Sequence, residues 1–193
     1  DLISLGSTSK FMGQSLAGYG FSSINVWKHS LCVAVFSRKM AELKFPELVS
    51  DAFNAGLIHD SGMIILDEYM AARKTSQYAP TSDENRLIET EKALFGFDHA
   101  ELASEFLSKW NLPAAQTHAI RHHHQPSASD GDNLAYILHA AECLCQEEAD
   151  PEQATASAES GTFEHLGLDR QEIENLYEQA TEAVEEIISN YSG

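Results

Sequence analysis

The spacing of apolar residues predicts α-helices along most of the chain. From Trp27 to Leu43 the apolar positions recur every three or four residues and cover one broad face, with charged residues opposite. The same pattern predicts further helices over residues 47–58, 84–95, 98–110, 114–124 and 133–147, and a last helix from Asp169. No segment alternates apolar and polar residues as a half-buried strand would. The sequence therefore predicts an all-α fold, a bundle of helices with short connections.

The segments between these helices carry residues that start and stop helices. Gly96 favours a helix end, and Asp169 with Glu172 three positions later is typical of a capping box. The apolar stripe of the last helix predicts packing within the chain rather than against a partner helix. Residues 72–83 predict a surface loop, and the weakly patterned residues 149–161 predict a mobile loop.

Composition and charge narrow the classes of function. The 193 residues include 30 acidic against 12 basic side chains, for a formal net charge of −18. Phosphate backbones bind to clusters of lysine and arginine, and the sequence shows no such cluster, which argues against nucleic acid as a general partner. This does not exclude a small phosphorylated ligand held by a metal ion. The chain has no apolar run long enough for a membrane span, and because its first residues lack a basic stretch followed by an apolar one, we expect no signal peptide. We expect a single cytoplasmic domain over residues 1–193 with reduced thiols at Cys32, Cys143 and Cys145.

The stretch AGLIHDSGMIIL, residues 55–66, places His59 and Asp60 inside an otherwise apolar segment. Burying either titratable group alone is costly, so each needs a partner. Imidazole nitrogens and carboxylate oxygens are the usual ligands of divalent transition metals, and a carboxylate can bridge two ions. One dipeptide is a weak signal, and the alternative is a structural pair that closes a helix end.

A series of short phrases strengthens the metal interpretation. They are WKHS, AGLIHDSGMIIL, FGFDHAELA, LSKWNLP, AIRHHHQP, LAYILHAAE and HLGLDRQEIENL, and they span about residues 25 to 178. This series resembles the HD-domain superfamily of metal-dependent phosphohydrolases, and most closely its HDOD branch, the HD-related output domain of bacterial signalling proteins. The resemblance implies an HD-domain-like helical bundle. It also implies that residues 1–24 are the end of a preceding helical region, so that the chain is the C-terminal part of a larger domain.

The resemblance further implies a set of metal ligands. In the binuclear HD-GYP relatives, which hydrolyse cyclic di-GMP, histidines and aspartates hold two ions, and here Glu142 replaces the last aspartate. Position by position, the first ion would be held by His29, His59, Asp60 and Glu142, and the second by Asp60, His99, His123 and His124. We expect one or two ions of Fe, Mn, Ni or Zn.

Two departures from the HD-GYP pattern speak against catalysis. HD-GYP proteins carry a lysine in HDxGK, whereas this chain reads HDSGM, and Met63 cannot stabilise phosphate charge. The GYP motif is also absent, since QPSASDGDN follows His124. The first interpretation is therefore a signalling output domain that retains a metal-binding site and acts through a signalling protein partner. One alternative is a metal-dependent phosphohydrolase acting on a nucleotide or cyclic dinucleotide, with Asp60 as the catalytic residue; another is a purely structural metal.

Less specific roles stay open for several of these side chains. Hydrogen bonds to backbone carbonyls are the alternative for His29 and His99, and an exposed polar run is the alternative for His123 and His124. Glu142 could instead pair on the surface or between helices. The remaining predictions place His118 and His122 in solvent, His139 and His165 at the core boundary, and Trp27 and Trp110 as core anchors.

Overall fold

The computed structural model describes residues 15–73, 84–146 and 150–191. Within these ranges the chain is helical and contains no strand, only one isolated β-bridge between Leu16 and Phe21, so the predicted all-α fold is confirmed. The helices are α1 (Ser23–Lys44), α2 (Val49–Ile58), α3 (Ser61–Ala72), α4 (Glu84–Phe95), α5 (His99–Lys109), α6 (Ala114–His122), α7 (Asn133–Leu144), α8 (Pro151–Ser157), α9 (Thr162–His165) and α10 (Arg170–Tyr191). Short 3₁₀ turns lie at Pro46–Leu48 and Pro126–Ser129.

Two predictions fall largely outside these ranges. The surface loop at 72–83 is described only as far as residue 73, and the N-terminal region at 1–24 only from residue 15. None of the helices in the described ranges is both long and apolar enough to cross a bilayer.

Helix α1 is the centre of the main hydrophobic core. It packs against α2, α7 and α10, and Leu31 on its buried face is inaccessible to solvent. Gly56 lets α2 approach closely, because a Cβ atom there would lie 2.8 Å from the Cα atom of Ala34. The stripe of α10 also packs into this core, as predicted, through Ile173, Leu176 and Ala180.

A second, smaller core joins the segment 15–21 to α3 and α4. Its buried residues are Leu16, Tyr19, Met63, Leu66, Met70 and Leu87. Gly18 makes the contact with α3 close: its N–H donates to Oδ1 of Asp67 at 2.7 Å, and a Cβ atom would lie 2.1 Å from the Asp67 carbonyl oxygen. The segment 15–21 is therefore held against α3 by its own backbone.

Several helix ends follow the predicted chemistry. Asp98 and Glu101 form a reciprocal capping box at the start of α5. Asp169 and Glu172 exchange the same two bonds at the start of α10. Gly96 follows the end of α4 with φ of 83°, a backbone conformation that glycine adopts without strain.

The prediction of a mobile loop over residues 149–161 is wrong. Residues 151–157 form α8, because Asp150 caps its first turn and Pro151 occupies a favoured helix-start position. Ala154 is buried against the main core and anchors this short helix. The stretch is polar in composition, and Ala154 is the buried apolar residue that holds it against the core.

The two tryptophans behave differently. Trp27 is partly buried and packs against the main core, as predicted. Trp110 does not anchor the core, because 61% of its surface is exposed; its ring packs beside Phe106, at 4.6 Å between ring centroids. The helix α5 ends just before Trp110, and the chain turns there with the ring on the outer side.

Candidate metal centre

The seven residues proposed as metal ligands from the sequence converge on one region of the bundle. His29 lies in the second turn of α1, and Glu142 lies in the last turn of α7. The other five lie at helix ends: His59 and Asp60 between α2 and α3, His99 at the start of α5, and His123 and His124 just after α6. The helix α6 thus ends two residues earlier than predicted, and the two adjacent histidines belong to the turn that follows it.

Gly62 allows α3 and α5 to meet at this region. A Cβ atom at Gly62 would lie 2.0 Å from the carbonyl oxygen of His99, a separation that no packed side chain tolerates. Because α3 begins directly after Asp60, this contact places the start of α5 beside the carboxylate of Asp60. The Ser-Gly step in HDSG is therefore the first turn of α3 and a packing site, not only a bend.

One set of ligand atoms, the first ligand group, consists of His29, His59, Asp60 and Glu142. One ligand atom from each lies within 4.8 Å of all the others. Nε2 of His59 is 3.2 Å from Oδ2 of Asp60 and 3.5 Å from Oε2 of Glu142. Nε2 of His29 is 3.4 Å from the other oxygen of Glu142 and 3.7 Å from Oδ2 of Asp60. Four side chains from three parts of the chain therefore surround one point.

The second ligand group consists of His99, His123 and His124, whose ligand atoms also lie within 4.8 Å of one another. Oδ1 of Asp60 faces this group, 3.3 Å from Nε2 of His99 and 3.8 Å from Nε2 of His123. The two oxygens of Asp60 thus face different groups, Oδ2 the first and Oδ1 the second. This is the arrangement of a carboxylate that can bridge two cations.

Backbone carbonyls orient two of the histidines. Nδ1 of His59 lies 2.8 Å from the carbonyl oxygen of Gly56, and Nδ1 of His123 lies 2.6 Å from that of Ile120. A carbonyl oxygen only accepts, so each Nδ1 carries the proton and each Nε2 is presented to the ligand groups. Both rings are completely buried, and these bonds are the carbonyl contacts expected of structural histidines. Here they also turn the free nitrogen toward Asp60.

Glu91 is a functional candidate that sequence reasoning missed. Its side chain is fully buried, and Oε2 accepts hydrogen bonds from the backbone N–H and Nδ1–H of His99, both at 2.8 Å. The sequence does contain a signal for this residue. Glu91 follows Leu87 by four positions and precedes Leu94 and Phe95 by three and four, so it lies on the apolar stripe of α4.

His139 is a second missed candidate. It is buried rather than at the core boundary, where it was expected, and its Nδ1 donates to the carbonyl oxygen of His123 at 2.8 Å. Its Nε2 accepts the backbone N–H of Glu159 at 2.9 Å. Because His139 precedes Glu142 by one helical turn, α7 both contributes a carboxylate to the first ligand group and holds the backbone of the second.

The other histidines lie apart from the two groups. His118 is exposed, as predicted, and its ring packs beside that of His122 at 4.7 Å between centroids. His165 is exposed rather than at the core boundary, where it was expected, and its ring stacks on that of Tyr136 at 3.8 Å between centroids. In the described part of the chain, none of these three histidines forms an ion pair with Asp60 or Glu142.

The charges within the two groups shift several pKa values. Burial alone would raise the pKa of Asp60, but the positive charges of the nearby His59 and His99 rings hold it well below its usual value. Burial alone would lower the pKa of His59, but the charges of Asp60 and Glu142 raise it well above. The nearby carboxylates of Asp60 and Glu91 likewise outweigh burial at His99 and raise its pKa to about 10. Burial lowers the pKa of His123 to about 3, so this ring is neutral at pH 7.

Unsatisfied atoms test whether a cation fits the site. Nε2 of His59, Oδ1 of Asp60, Nε2 of His123 and Oε2 of Glu142 are all buried and make no hydrogen bond within the described part of the chain. A buried polar atom without a partner costs about 1–3 kcal/mol, so four in one place require an explanation. A divalent ion would satisfy them, and their nitrogen and oxygen donors suit Fe, Mn, Ni or Zn. The residues therefore fit the group that the sequence implies.

The position corresponding to the HD-GYP lysine lies outside the ligand groups. Met63 is 5% exposed and belongs to the second core, packed with residues of the segment 15–21. The groups themselves reach solvent on one side, since the His29 and Asp60 side chains are 31% and 16% exposed.

An all-α bundle whose helix ends gather histidines around a shared aspartate defines a helical domain of the HD type. The family model of the HDOD domain matches residues 1–126, more than half of the chain. The chain therefore belongs to the HDOD family.

Two solved structures share the fold. One is a "Putative phosphohydrolase" from Shewanella amazonensis SB2B, with a TM-score of 0.65, 21% identity, and coverage of 84% of this chain and 61% of that one. The other is a "Putative signal transduction protein" from Marinobacter aquaeolei VT8, with a TM-score of 0.68, 22% identity, and coverage of 85% and 38%. At this identity the likeness concerns the fold alone, and the chain spans less than two thirds of either structure. The search of curated proteins found no match.

Proposed function

We propose that this chain is a bacterial signal-transduction output domain of the HDOD type that binds one or two divalent transition-metal ions and acts through a protein partner. The observation that carries the metal site is the set of four buried ligand atoms without hydrogen bonds, contributed by His59, Asp60, His123 and Glu142. Burying two imidazole nitrogens and two carboxylate oxygens without hydrogen bonds is costly, and a bound cation would offset that cost.

Each ligand group would hold one ion. His29, His59 and Glu142 would complete the first site, and the three histidines of the second group would complete the other, with Asp60 shared between them. Bound ions would supply positive charge that orients these side chains and polarises an oxygen ligand. The role of the protein residues is to hold Nε2 and carboxylate atoms at fixed positions, which the bonds to Gly56 and Ile120 support.

The environment of Met63 favours a signalling role over hydrolysis. In the HD-GYP pattern a lysine at this position can stabilise phosphate charge, and one such donor is worth a few kcal/mol in a transition state. Met63 instead packs with Leu16 and Tyr19 in the second core, where a charged group would be costly to bury. The side chain at position 63 therefore contributes to core packing rather than to phosphate binding.

The test of this proposal is elemental analysis followed by an assay of turnover. Protein purified without chelators should contain about one or two equivalents of Fe, Mn, Ni or Zn and should not hydrolyse cyclic di-GMP or a bis-aryl phosphate. Protein with less than a tenth of an equivalent of any of these metals, after growth with each supplied, would refute the metal site.

A metal-dependent phosphohydrolase is the second candidate. The observation that favours it is the orientation of Asp60, whose two oxygens face different ligand groups at 3.2 and 3.3 Å. The opening beside His29 would admit a phosphodiester to both groups. Turnover of either substrate by the metal-loaded protein, lost in Asp60→Ala, would select this candidate in place of the signalling role.

The proposed partner is a signalling protein. Trp110 supports this part because a large aromatic side chain that is 61% exposed is typical of residues that contribute to protein interfaces. A photo-crosslinker at position 110 should capture one defined protein in cells, whereas the same group at the exposed Glu185 should not. Equal capture at both positions, or none at 110, would remove this surface from the proposal.

A further inference from the structure

Glu91 differs from the proposed ligands because it is buried beside them without facing either group. Its Oε2 accepts two bonds from His99, one from the backbone N–H and one from Nδ1–H, each at 2.8 Å. Its Oε1 accepts the hydroxyl of Tyr19 at 2.6 Å. All three partners donate, which is the pattern of an ionised carboxylate.

The bonds from His99 determine which ring nitrogen is available to a cation. With Nδ1–H directed at Glu91, Nε2 lies 3.3 Å from Oδ1 of Asp60 and 2.8 Å from Nε2 of His124. The backbone bond holds the first residue of α5 as well, and a carboxylate there is favoured by the helix dipole. Glu91 therefore fixes both the ring and the start of the helix that carries it.

The support of His99 is different in kind from that of the other buried histidines. His59 and His123 are each held by a carbonyl three residues earlier in their own turn. His99 is held by a side chain eight residues earlier, on another helix. The second ligand group therefore depends on the packing of α4, whereas His59 in the first group does not.

Tyr19 extends this dependence to the segment 15–21. Its side chain is 1% exposed in the second core, and its hydroxyl donates a hydrogen bond to Glu91, which is 72 positions away in the sequence. Burial, and then the charge of Glu91, raise the pKa of Tyr19 far above its usual value, so the hydroxyl stays a donor. The backbone of Gly18, bonded to Asp67, keeps the tyrosine in place.

We propose that Glu91, held by Tyr19, is a positioning residue that sets the affinity of the second ligand group for its ion and leaves the first group unaffected. The inference rests on the proposed metal-binding function. It adds that the seating of the segment 15–21 against α3 and α4 controls how tightly one of the two ions is held. No role in touching substrate is assigned to either residue.

The main test is Glu91→Gln, which keeps the shape of the side chain and removes its charge. Loss of an outer carboxylate partner of a metal-bound histidine weakens binding by about 10–100-fold, and we expect that loss for one of two Zn²⁺ ions in chelator-competition titrations. Glu101→Gln is the matched control, because Glu101 also accepts a backbone N–H at the start of α5 but does not touch the ring of His99. It should leave both dissociation constants within about twofold.

A background variant shows which ion responds. In His124→Ala the second group is incomplete, and the one remaining ion should bind equally well with Glu91 or Gln at position 91. A role of Glu91 in general stability would instead weaken both ions together, or lower the melting temperature of the metal-free protein without separating the two constants. Either result would overturn the positioning role.

Tyr19→Phe is the second variant and removes only the hydroxyl. The expected loss is about tenfold or less for the second ion, since one hydrogen bond to the carboxylate disappears. Tyr69→Phe is its control, because Tyr69 is 59% exposed on α3. Unchanged Zn²⁺ affinity in Tyr19→Phe would refute the claim that the segment 15–21 influences the affinity of the second group.

The possible outcomes separate the two proposals. Wild-type protein that binds no Zn²⁺ would refute the proposed function and this inference together. Wild-type protein that binds one ion, with His124→Ala unchanged, would keep a metal-binding function and refute the inference. Two ions in the wild type and two of equal affinity in Glu91→Gln would also refute the inference alone.

Discussion

The two ligand groups share Asp60 but are built by different parts of the molecule. The first group is attached to α1, α2 and α7, helices of the main core, and it combines two histidines with two carboxylates. The second group combines three histidines with the one shared carboxylate, and its His99 is held by a side chain of α4. The difference teaches that one centre can have a site supported by the principal core and another that also depends, through one ligand, on a small accessory core.

The charges of the two groups also differ. Both carboxylates belong to the first group, whereas the second group contains only histidines and is approached by Oδ1 of Asp60 and, at His123, by Oε2 of Glu142. A divalent ion is attracted more strongly where more negative charge surrounds it, so we expect the first group to load before the second. The nitrogen-rich second group should depend more on exact placement of its rings.

The largest expected effect removes the shared residue. Asp60→Ala takes one oxygen from each group, so both ions should be lost, from about two equivalents to none in elemental analysis. Asp51→Ala is the control, because Asp51 is a carboxylate bonded to Gln116 rather than to either group. Retention of stoichiometric metal in Asp60→Ala would contradict the bridging assignment.

A smaller effect should separate the groups through packing. Gly62→Ala places a methyl group against the backbone of His99, so α5 must move, and overpacking of this kind costs about 1–3 kcal/mol of unfolding free energy. The second ion should be lost and the first retained. Gly56→Ala, which meets α1 at Ala34, is the counterpart that should disturb the first group instead. The His124→Ala background shows which ion each variant loses. If both variants lost the same ion, the conclusion that different helix contacts position the two ligand groups would be wrong.

Glu142→Gln should act mainly on the first group, because Glu142 is one of its ligands, although its Oε2 also lies 3.5 Å from Nε2 of His123 in the second group. It removes one of the two negative charges there and keeps the size of the side chain. We expect the metal content to fall from about two equivalents to one, with the second ion retained. Measurement by elemental analysis after dialysis decides this, and a fall to none would indicate that the two sites are not separable.

The smallest effect is the dependence of metal affinity on pH. Because the pKa values of His59 and His99 are raised, each ring carries a second proton, on Nε2, at pH 7. An incoming cation must displace that proton. Affinity should therefore fall as pH falls, by up to about tenfold per unit for each proton displaced. Calorimetry in two buffers of different ionisation enthalpy measures the protons released, and none released would contradict these assignments.

Much of the fold could be predicted because local rules decide it. Apolar periodicity located α1, α2 and α4 to α7, and the capping box at Asp169 marked a helix start that the structure retains. The short helix α8 escaped prediction because its burial amounts to Ala154 in a polar stretch. Trp110 escaped because the direction of a side chain at a helix end depends on the turn that follows it.

The sequence by itself determined the type and order of the seven candidate ligands, since histidine and carboxylate chemistry is carried by each residue alone. It also determined the helices that carry them, because a helix forms around its own periodic stripe. Only the tertiary structure decided that Asp60 faces two groups and that Met63 belongs to a core. It alone brought Tyr19 to Glu91 and Glu91 to His99. The physical reason is that these contacts depend on how closely helices approach, which small residues such as Gly18 and Gly62 permit and no local pattern reveals.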